Sequence, residues 1–592
     1  MSEHRKDYAR PYADVNTPFI VDERGAFAEF IVQDPDLMPE LALGTTVIVK
    51  DISQGEIYFV SGSVVGLRAI SPFSPARENL LYIEPDHEDP TELLESLTGP
   101  HTHQPMVIRV KLEQEMKPIE GEERKFALSA VQRPPTARSH MSFPEIVPGD
   151  NPAPSLQEIL NVKPEGLNLG KIGFGNEPYE NSGNYLTYRW DIANLDNKHI
   201  FIVGESGSGK TVFLKNLAYQ IRKNNSSTRI IMTDVQGDIV QLLLPNVAEK
   251  ISPRGWQKNL QYESPDDIID KLSPFQLLVP ARKGEASTNV IALKRLAEKN
   301  GIEVNEIGLR MQDVNLPSDV EYLFNVSSDQ VAMLLDDQAE FIRSKNQPAT
   351  LDFLKRSLER KLNDQNIRGN QIPNDAGTSF YRTTYFAALR ALRSLGNYFD
   401  HHQLSLSSSE NPLDCLDFPG TTIFYLDELD HDERVMWEMQ LVKWLYERKK
   451  DNWNAFVFFD EAHQIIPAKP SGLGSDGTFD RLRVNFERLA REGRKFGINL
   501  VLSTQNPKDL HPIVDEQCPT KIVMKINPRN ARYVNLRDDL ATIANRFSHG
   551  QFWIVSPFND TPDWVRVHSE ATPLPHESMT RFWTRVIQKA KD

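Results

Sequence analysis

The sequence contains little cysteine, no long apolar run and no excess of positive charge. Cys415 and Cys518 are the only cysteines among 592 residues, which excludes a framework of several disulfide bonds. Every apolar stretch is shorter than the roughly 18 residues that a membrane-spanning helix needs. The chain begins with the polar stretch MSEHRKDYARPYADV, which lacks the apolar segment of a signal peptide. We therefore expect a cytoplasmic protein with no membrane partner.

The charge balance and the length set further limits. A net charge of −15 at pH 7 argues against a surface built to coat nucleic acid, although it leaves room for a locally basic channel. The chain is too long for a single hydrophobic core, so we expect two to four domains.

Short β-like runs separated by turns make up the first part of the chain. Several of them alternate apolar and polar residues, a pattern that predicts a small barrel or a sandwich. The predicted strands are residues 27–32, 45–52, 56–70, 79–84, 105–112 and 125–132. Residues 1 to about 26 are interpreted as a flexible arm, and the proline-rich residues 133–165 as an extended connector. We assign residues 1–150 to this domain and its connector.

One stretch fits the G-x-x-x-x-G-K-[ST] pattern of a phosphate-binding P-loop, Gly204-Glu205-Ser206-Gly207-Ser208-Gly209-Lys210-Thr211. An apolar run at residues 199–203 precedes it, and apolar residues at helical spacing follow it as far as Arg222. Such a loop wraps a phosphate with backbone N–H groups, and the helix N-terminus adds partial positive charge. A chance glycine-rich turn is the alternative, and the flanking strand and helix argue against it.

The residue types in this motif suggest individual roles. We expect Lys210 to reach the β- and γ-phosphates, and the hydroxyl of Thr211 to bind Mg²⁺. No Asn-Lys-x-Asp motif for guanine follows in the sequence, so ATP is favoured over GTP. The predicted nucleotide contacts are Gly204, Glu205, Ser206, Gly207, Ser208, Gly209, Lys210, Thr211 and Val212.

The rest of the chain predicts an α/β core with an insertion. A buried strand at residues 229–233 completes a strand–helix–strand unit, which implies a parallel sheet covered on both faces. Residues 251–410 show mainly helical patterns and are interpreted as a helical insertion. The first part of the core is then residues 151–250, and the second part, with the C-terminal segment, is residues 411–592.

Polar residues follow two further apolar runs of this core. Asp460 and Glu461 follow the run at residues 455–459. We expect Asp460 to hold Mg²⁺ together with Thr211, and Glu461 to polarise the attacking water as general base. Gln505 is expected to contact the γ-phosphate or the water and to report hydrolysis to the rest of the domain. For Asp460 and Glu461 the alternative is an exposed acidic turn, and for Gln505 the alternative is an ordinary turn residue.

Phosphoryl transfer also needs positive charge on the transition state, often supplied by an arginine of a neighbouring subunit. Arg488, Arg491 and Arg494 precede the Gln505 strand, and their spacing of three predicts one side of a helix. One or two of them are candidates for this role. The others could have no catalytic role and simply form ion pairs with Glu487 or Glu492. Two further residues could face a neighbouring subunit, Lys198 and His199.

These motifs together resemble the HerA-type ATPases of the HerA/FtsK superfamily. The matching segments, in the family's order, are LGKIGFGN (169–176), KHIFIVGESGSGKT (198–211), DVQGD (234–238), FYLDELDHDERVMWEMQLVKWLYERK (424–449), FFDEAHQIIP (458–467) and REGRKFGINLVLSTQNP (491–507). The chain has Lys198 where the family commonly has arginine.

The resemblance implies a RecA-like P-loop core and a small N-terminal β-barrel of the HAS-barrel type. It also implies a ring, usually a hexamer, which hydrolyses ATP at its subunit interfaces and translocates on double-stranded DNA. Archaeal rings of this type work with a nuclease. Similar bacterial proteins are encoded beside nuclease or sirtuin-like NADase effectors in antiviral defence.

Two functions from different classes follow. The first is a DNA translocase or helicase ring that feeds a nuclease or another effector. The second is an ATP-binding scaffold ring that assembles and regulates an effector enzyme with little movement along DNA. Stimulation of ATP hydrolysis by DNA would favour the first, and stimulation by a protein partner the second.

Overall fold

A computed structural model describes most of the chain. The described residues are 9–11, 19–22, 25–32, 43–53, 56–69, 106–122, 124–131, 135–136, 139–149, 152–181, 184–281, 286–314, 329–365, 367, 369–396, 398–400, 411–448, 453–468, 476–557 and 564–591. The predicted strand at 79–84 and most of the predicted N-terminal arm lie outside them. Contacts divide the chain into two compact units, of which unit 1 is residues 1–194 and 522–570 and unit 2 is residues 195–521 and 571–592. The domain boundaries inferred from the sequence remain predictions.

Strands and α-helices are numbered in chain order. The strands are β1 (Ala9–Pro11), β2 (Phe19–Asp22), β3 (Gly25–Val32), β4 (Thr46–Ser53), β5 (Glu56–Ala69), β6 (Met106–Pro118), β7 (Phe126–Ser129), β8 (His140–Ser142), β9 (Leu167–Ile172), β10 (Glu180–Asn181), β11 (Asn184–Tyr185), β12 (Thr187–Trp190), β13 (Ile200–Val203), β14 (Arg229–Asp234), β15 (Phe275–Pro280), β16 (Glu303–Ile307), β17 (Gln371–Pro373), β18 (Ser379–Tyr381), β19 (Thr421–Tyr425), β20 (Ala455–Phe459), β21 (Ile498–Thr504), β22 (Thr520–Val523), β23 (Gln551–Val555) and β24 (Val565–His568). The helices are α1 (Leu156–Ile159), α2 (Lys210–Asn224), α3 (Pro265–Leu272), α4 (Thr288–Lys299), α5 (Asp329–Ser344), α6 (Leu351–Leu362), α7 (Arg382–Leu395), α8 (His431–Arg448), α9 (Asp476–Glu492), α10 (Ile513–Gln517), α11 (Pro528–Ala531), α12 (Asp538–Ala544) and α13 (Met579–Lys591).

The N-terminal part of unit 1 is an antiparallel sheet. Strand β3 pairs with β1, with β2 and with β6. Strand β8 pairs with β1 and β4, and β4 also pairs with β5. Strand β6 pairs with β5 and β7 in addition to β3. Alternate side chains of these strands enter a shared apolar core that includes Phe30, Val49, Val60 and Val110. The region predicted as an extended connector is partly ordered, because it contains β8 and the capped helix α1. In the rest of unit 1, β9 pairs antiparallel with β12 and β24, and β24 with β23.

Unit 2 is built on a parallel sheet with the strand order β13-β21-β20-β14-β19-β15-β16. Strands β13, β19, β20 and β21 are buried along their whole length, as their unbroken apolar runs predict. The predicted α/β class with a parallel sheet is therefore confirmed. Strand β21 lies between β13 and β20, and parallel strands end at the same edge of a sheet. The P-loop, Gln505 and Asp460 consequently follow three neighbouring strand ends.

The region interpreted as a helical insertion is only partly helical. Helices α5, α6 and α7 lie near the predicted positions, and the hydroxyl of Thr350 caps α6 as expected. Strands β15 and β16, however, belong to the parallel sheet, which corrects the purely helical interpretation of residues 251–410. The run FQLLVP in β15 is short and apolar, and periodicity does not distinguish such a run from a buried helical segment.

Among the described residues, no helix combines the length and the apolar character that crossing a bilayer requires.

Candidate nucleotide site

The loop between β13 and α2 has the backbone that a P-loop requires. Gly207 and Gly209 have φ angles of 73° and 100°, left-handed values that residues with a Cβ rarely adopt. Helix α2 begins at Lys210, so the unpaired N–H groups of its first turn open onto the loop. The predicted contacts from Gly204 to Val212 thus form one continuous loop and helix start, and their roles toward a nucleotide remain predictions.

Lys210 lies against this loop with its side chain buried. It is only 7% exposed, and its Nζ donates to the carbonyl oxygens of Gly204 at 2.7 Å and Glu205 at 3.1 Å. Burial lowers the pKa of Lys210, and the negative charges of Glu461 and Asp460 act in the opposite direction. The structure therefore brings the P-loop lysine into the electrostatic field of both predicted acidic residues.

Asp460 is a buried carboxyl group directly after β20. Its Oδ1 accepts a hydrogen bond from the Ser503 hydroxyl on β21 and one of 3.1 Å from the backbone N–H of Glu461. Burial raises the pKa of Asp460 to about 6, although the Ser503 hydrogen bond and the charge of Lys210 lower it. A divalent cation would offset the cost of burying this charge. The carboxylate of Asp460 and the hydroxyl of Thr211 are oxygen donors of the kind that Mg²⁺ prefers.

Glu461 has a left-handed backbone conformation and a carboxylate that accepts several hydrogen bonds. Its φ is 53°, which is uncommon for a residue other than glycine. Gln236 Nε2 donates to Oε1 at 3.0 Å, the Gln505 backbone N–H donates to Oε2 at 3.3 Å, and His463 Nδ1 lies 3.3 Å from Oε2. The Gln505 side-chain amide also donates to Oε1. Burial raises the pKa of Glu461, but the His463 and Gln505 hydrogen bonds outweigh it and hold the pKa below its usual value.

Two partners of Glu461 were missed by the sequence reasoning. Gln236 lies in the turn after β14, and β14 is the neighbour of β20, so knowledge of the strand order would have placed it beside Glu461. His463 contacts Glu461 and also lies 3.1 Å from the Thr504 hydroxyl. The sequence did not predict the contact between His463 and Glu461, because the left-handed turn at Glu461 that brings them together is not apparent from the sequence.

The candidate arginines lie beside the start of β21. Arg488, Arg491 and Arg494 are all exposed, and Arg491 forms a 2.8 Å ion pair with Glu487, one of the two pairings considered. Arg488 and Arg491 lie in helix α9, which ends at Glu492, and Arg494 lies in the 3-10 turn that directly follows it. That all three share one side of a helix stays a prediction, because residues three apart lie on the same side of an α-helix and of a 3-10 turn alike.

His199 does not face a neighbouring subunit, contrary to one expectation. Its side chain is 0% exposed, and both ring nitrogens contact backbone groups of unit 2. Lys198 is partly exposed, so a role for it at an interface stays a prediction.

Helix α2 also carries a fully buried lysine, Lys215. Lys215 is 0% exposed, and its Nζ donates to the carbonyl oxygen of Pro575 at 2.8 Å. Burial lowers the pKa of Lys215 to about 8, against the opposing charges of Asp238 and Asp234. Burial also raises the pKa of Asp234 to about 7. The C-terminal segment is thereby joined to the P-loop helix through a buried charge.

The strand, phosphate loop and helix, with acidic and polar residues after the neighbouring parallel strands, define the P-loop NTPase class. Residues 177–430 match the family model "Helicase HerA, central domain". Curated proteins show the same likeness over 19% to 64% of the chain.

A probable DNA double-strand break repair helicase HerA of Methanocaldococcus jannaschii is 34% identical over 117 residues, which are 19% of this chain and 22% of that protein. The DNA double-strand break repair helicase HerA of Pyrococcus furiosus is 24% identical over 64% of this chain and 66% of its own length. The HerA helicase of Sulfurisphaera tokodaii is 33% identical over 41% of this chain and 53% of its own length.

The resemblance to the HerA-type ATPases of the HerA/FtsK superfamily is therefore confirmed, and this chain is related to that family. The matches cover less than two thirds of each of these relatives, from 22% to 66% of their length.

Proposed function

We propose that this chain is an ATP hydrolase that uses Mg²⁺ and couples hydrolysis to movement along, or unwinding of, double-stranded DNA. The observation that carries the proposal is the environment of Glu461. Its carboxylate accepts hydrogen bonds from Gln236 and Gln505 and lies near the charge of Lys210. A carboxylate that is ionised at neutral pH and held in place by hydrogen bonds beside a P-loop is positioned to orient and polarise an attacking water.

The other residues take complementary roles in this proposal. Lys210 and the loop N–H groups bind the phosphates, and Thr211 and Asp460 would hold Mg²⁺, which supplies charge neutralisation to the transferring phosphoryl group. Gln505 donates to Glu461 from the end of β21. The position of Glu461 therefore depends on the strand that leads back to the candidate arginines.

DNA as the substrate rests on the names of the relatives, and a ring as the assembly rests on the family resemblance. Two relatives, matched over 64% and 41% of this chain, are named as DNA double-strand break repair helicases. We infer a homo-oligomeric ring, a hexamer in the family pattern, with a RecA-like core in which Arg491 or Arg494 acts on the site of the next subunit. Exposure of both side chains supports this inference.

The N-terminal fold, the effector partner and the cellular role also belong to the proposal. The pairing of β3 with both β1 and β6 supports a small N-terminal barrel, because the ladders through β8, β4 and β5 return to β3. A nuclease or sirtuin-like NADase effector and a role in antiviral defence follow from the family resemblance, as does a cytoplasmic location. The scaffold-ring alternative predicts ATP hydrolysis that responds to the effector rather than to DNA.

The replacement Glu461→Gln tests the proposal. It removes the base while leaving the P-loop and Asp460 in place, so ATP hydrolysis should fall by about 10²–10⁴-fold while binding of a fluorescent ATP analogue persists. Glu516→Gln, at an exposed carboxylate on α10, is the matched control and should hydrolyse ATP normally. Near wild-type hydrolysis by Glu461→Gln would contradict the assignment of Glu461 as the base.

A further inference from the structure

His199 occupies a buried position between three parts of the nucleotide-binding unit. It directly precedes the P-loop strand β13, and its side chain is 0% exposed. Its Nδ1 lies 3.0 Å from the backbone nitrogen of Leu500, and its Nε2 lies 2.8 Å from the carbonyl oxygen of Ala490. Because the Leu500 N–H can only donate, Nδ1 accepts. The ring hydrogen is therefore on Nε2, which donates to Ala490.

These two contacts lie on either side of one segment. Ala490 is in the last turn of α9, where carbonyl oxygens have no partner within the helix, and Leu500 is in β21. Between them is the segment of residues 491–497, which we call the arginine turn because it carries Arg491 and Arg494. A single imidazole thus joins both ends of the arginine turn to the start of the P-loop strand.

We propose that His199 is a positioning residue that fixes the arginine turn relative to the P-loop strand, so that the arginine which this subunit presents to its neighbour is correctly placed. The inference rests on the proposed function, in which Arg491 or Arg494 acts in trans. His199 itself touches neither the P-loop nor the acidic residues, and it acts through the backbone of Ala490.

The chemistry of the site suits a permanent link. Burial, assisted by the charge of Arg494, lowers the pKa of His199 to about 4. The imidazole is consequently neutral at physiological pH, and Nδ1 remains an acceptor. A protonated ring would place a second N–H against the Leu500 donor and break that contact.

Two substitutions separate the two contacts. In His199→Asn, the shorter amide can place its oxygen where Nδ1 accepts from Leu500, but it cannot reach Ala490. In His199→Gln, the amide nitrogen can take the place of Nε2 and donate to Ala490. The proposal predicts that His199→Asn lowers kcat at least tenfold with KM and ATP affinity unchanged, whereas His199→Gln keeps most of the wild-type kcat.

Subunit mixing distinguishes a trans role from a general structural one. His199→Asn subunits keep an intact P-loop, and Lys210→Ala subunits keep an intact arginine turn. Mixed rings of the two should regain activity at interfaces that combine the intact parts, whereas rings of His199→Asn and Arg494→Ala subunits should not. Thermal unfolding of each variant provides the folding control.

Each result has a defined meaning. Failure of Lys210→Ala subunits to restore activity to a folded His199→Asn variant would overturn the inference, because the defect would then lie in its own P-loop. If His199→Asn does not fold, a tenfold loss of kcat in a folded His199→Gln variant would overturn it equally. A wild-type chain that does not hydrolyse ATP would instead overturn the proposed function, and this inference with it.

Discussion

Replacement of Gln236 by alanine removes one of the donors that hold Glu461 and leaves the P-loop untouched. The Gln236 amide lies 3.0 Å from Oε1 of Glu461, and hydrogen bonds to charged groups contribute about 1.5–3 kcal/mol. Because Gln236 is exposed, water can partly replace the lost donor, so the lower value of about 1.5 kcal/mol applies. If the loss affects the transition state alone, kcat should fall about tenfold.

Steady-state ATP hydrolysis and equilibrium binding of a fluorescent ATP analogue measure this effect. We expect a lower kcat with an unchanged dissociation constant, because Gln236 contacts the base and none of the P-loop residues. Gln347→Ala, at an exposed glutamine outside the site, is the matched control. An unchanged kcat would refute the reasoning, and so would a loss confined to KM, since that would place Gln236 in substrate binding.

Two further predictions concern buried titratable groups. The pKa of His199 falls from 6.5 to about 4 on folding, so the unfolded chain takes up a proton that the folded chain does not. Relative to His199→Gln, the wild-type free energy of unfolding should therefore decrease by about 3 kcal/mol between pH 6.5 and pH 4. Denaturant titrations of both proteins measure this, and a difference between them that does not change with pH would contradict it. Lys215→Met should lower the free energy of unfolding by about 1–3 kcal/mol, because the Pro575 carbonyl loses its donor, whereas the exposed control Lys495→Met should leave it unchanged within about 0.5 kcal/mol.

The sequence contained most of the information on how the site is assembled. The P-loop lies between a short apolar run and an amphipathic helix, and Asp460 follows an unbroken apolar run. Both patterns report buried parallel strands and their ends, and the structure has them there. The same patterns predict that Gln505 lies at the same edge of the sheet as Glu461, because parallel strands end at one edge.

Other features depend on strand order and local backbone, which periodicity does not report. Gln236 reaches Glu461 because β14 lies beside β20 across a large sequence separation. The change from α-helix to 3-10 turn after Glu492, which places Arg494 in the turn, is likewise not marked by the residue spacing. His199 was considered an interface residue because the surrounding sequence did not indicate its two hydrogen-bond partners. These are backbone groups about 300 residues away in the sequence.

The central claim is that ATP hydrolysis at Glu461 drives movement along double-stranded DNA. Displacement of a third strand from a linear triplex measures such movement directly, without requiring the duplex to be opened. We predict that the wild-type protein displaces the third strand in the presence of ATP and Mg²⁺ and that Glu461→Gln does not. Hydrolysis of ATP by the wild-type protein without stimulation by duplex DNA and without displacement would contradict the translocase account and favour the scaffold ring.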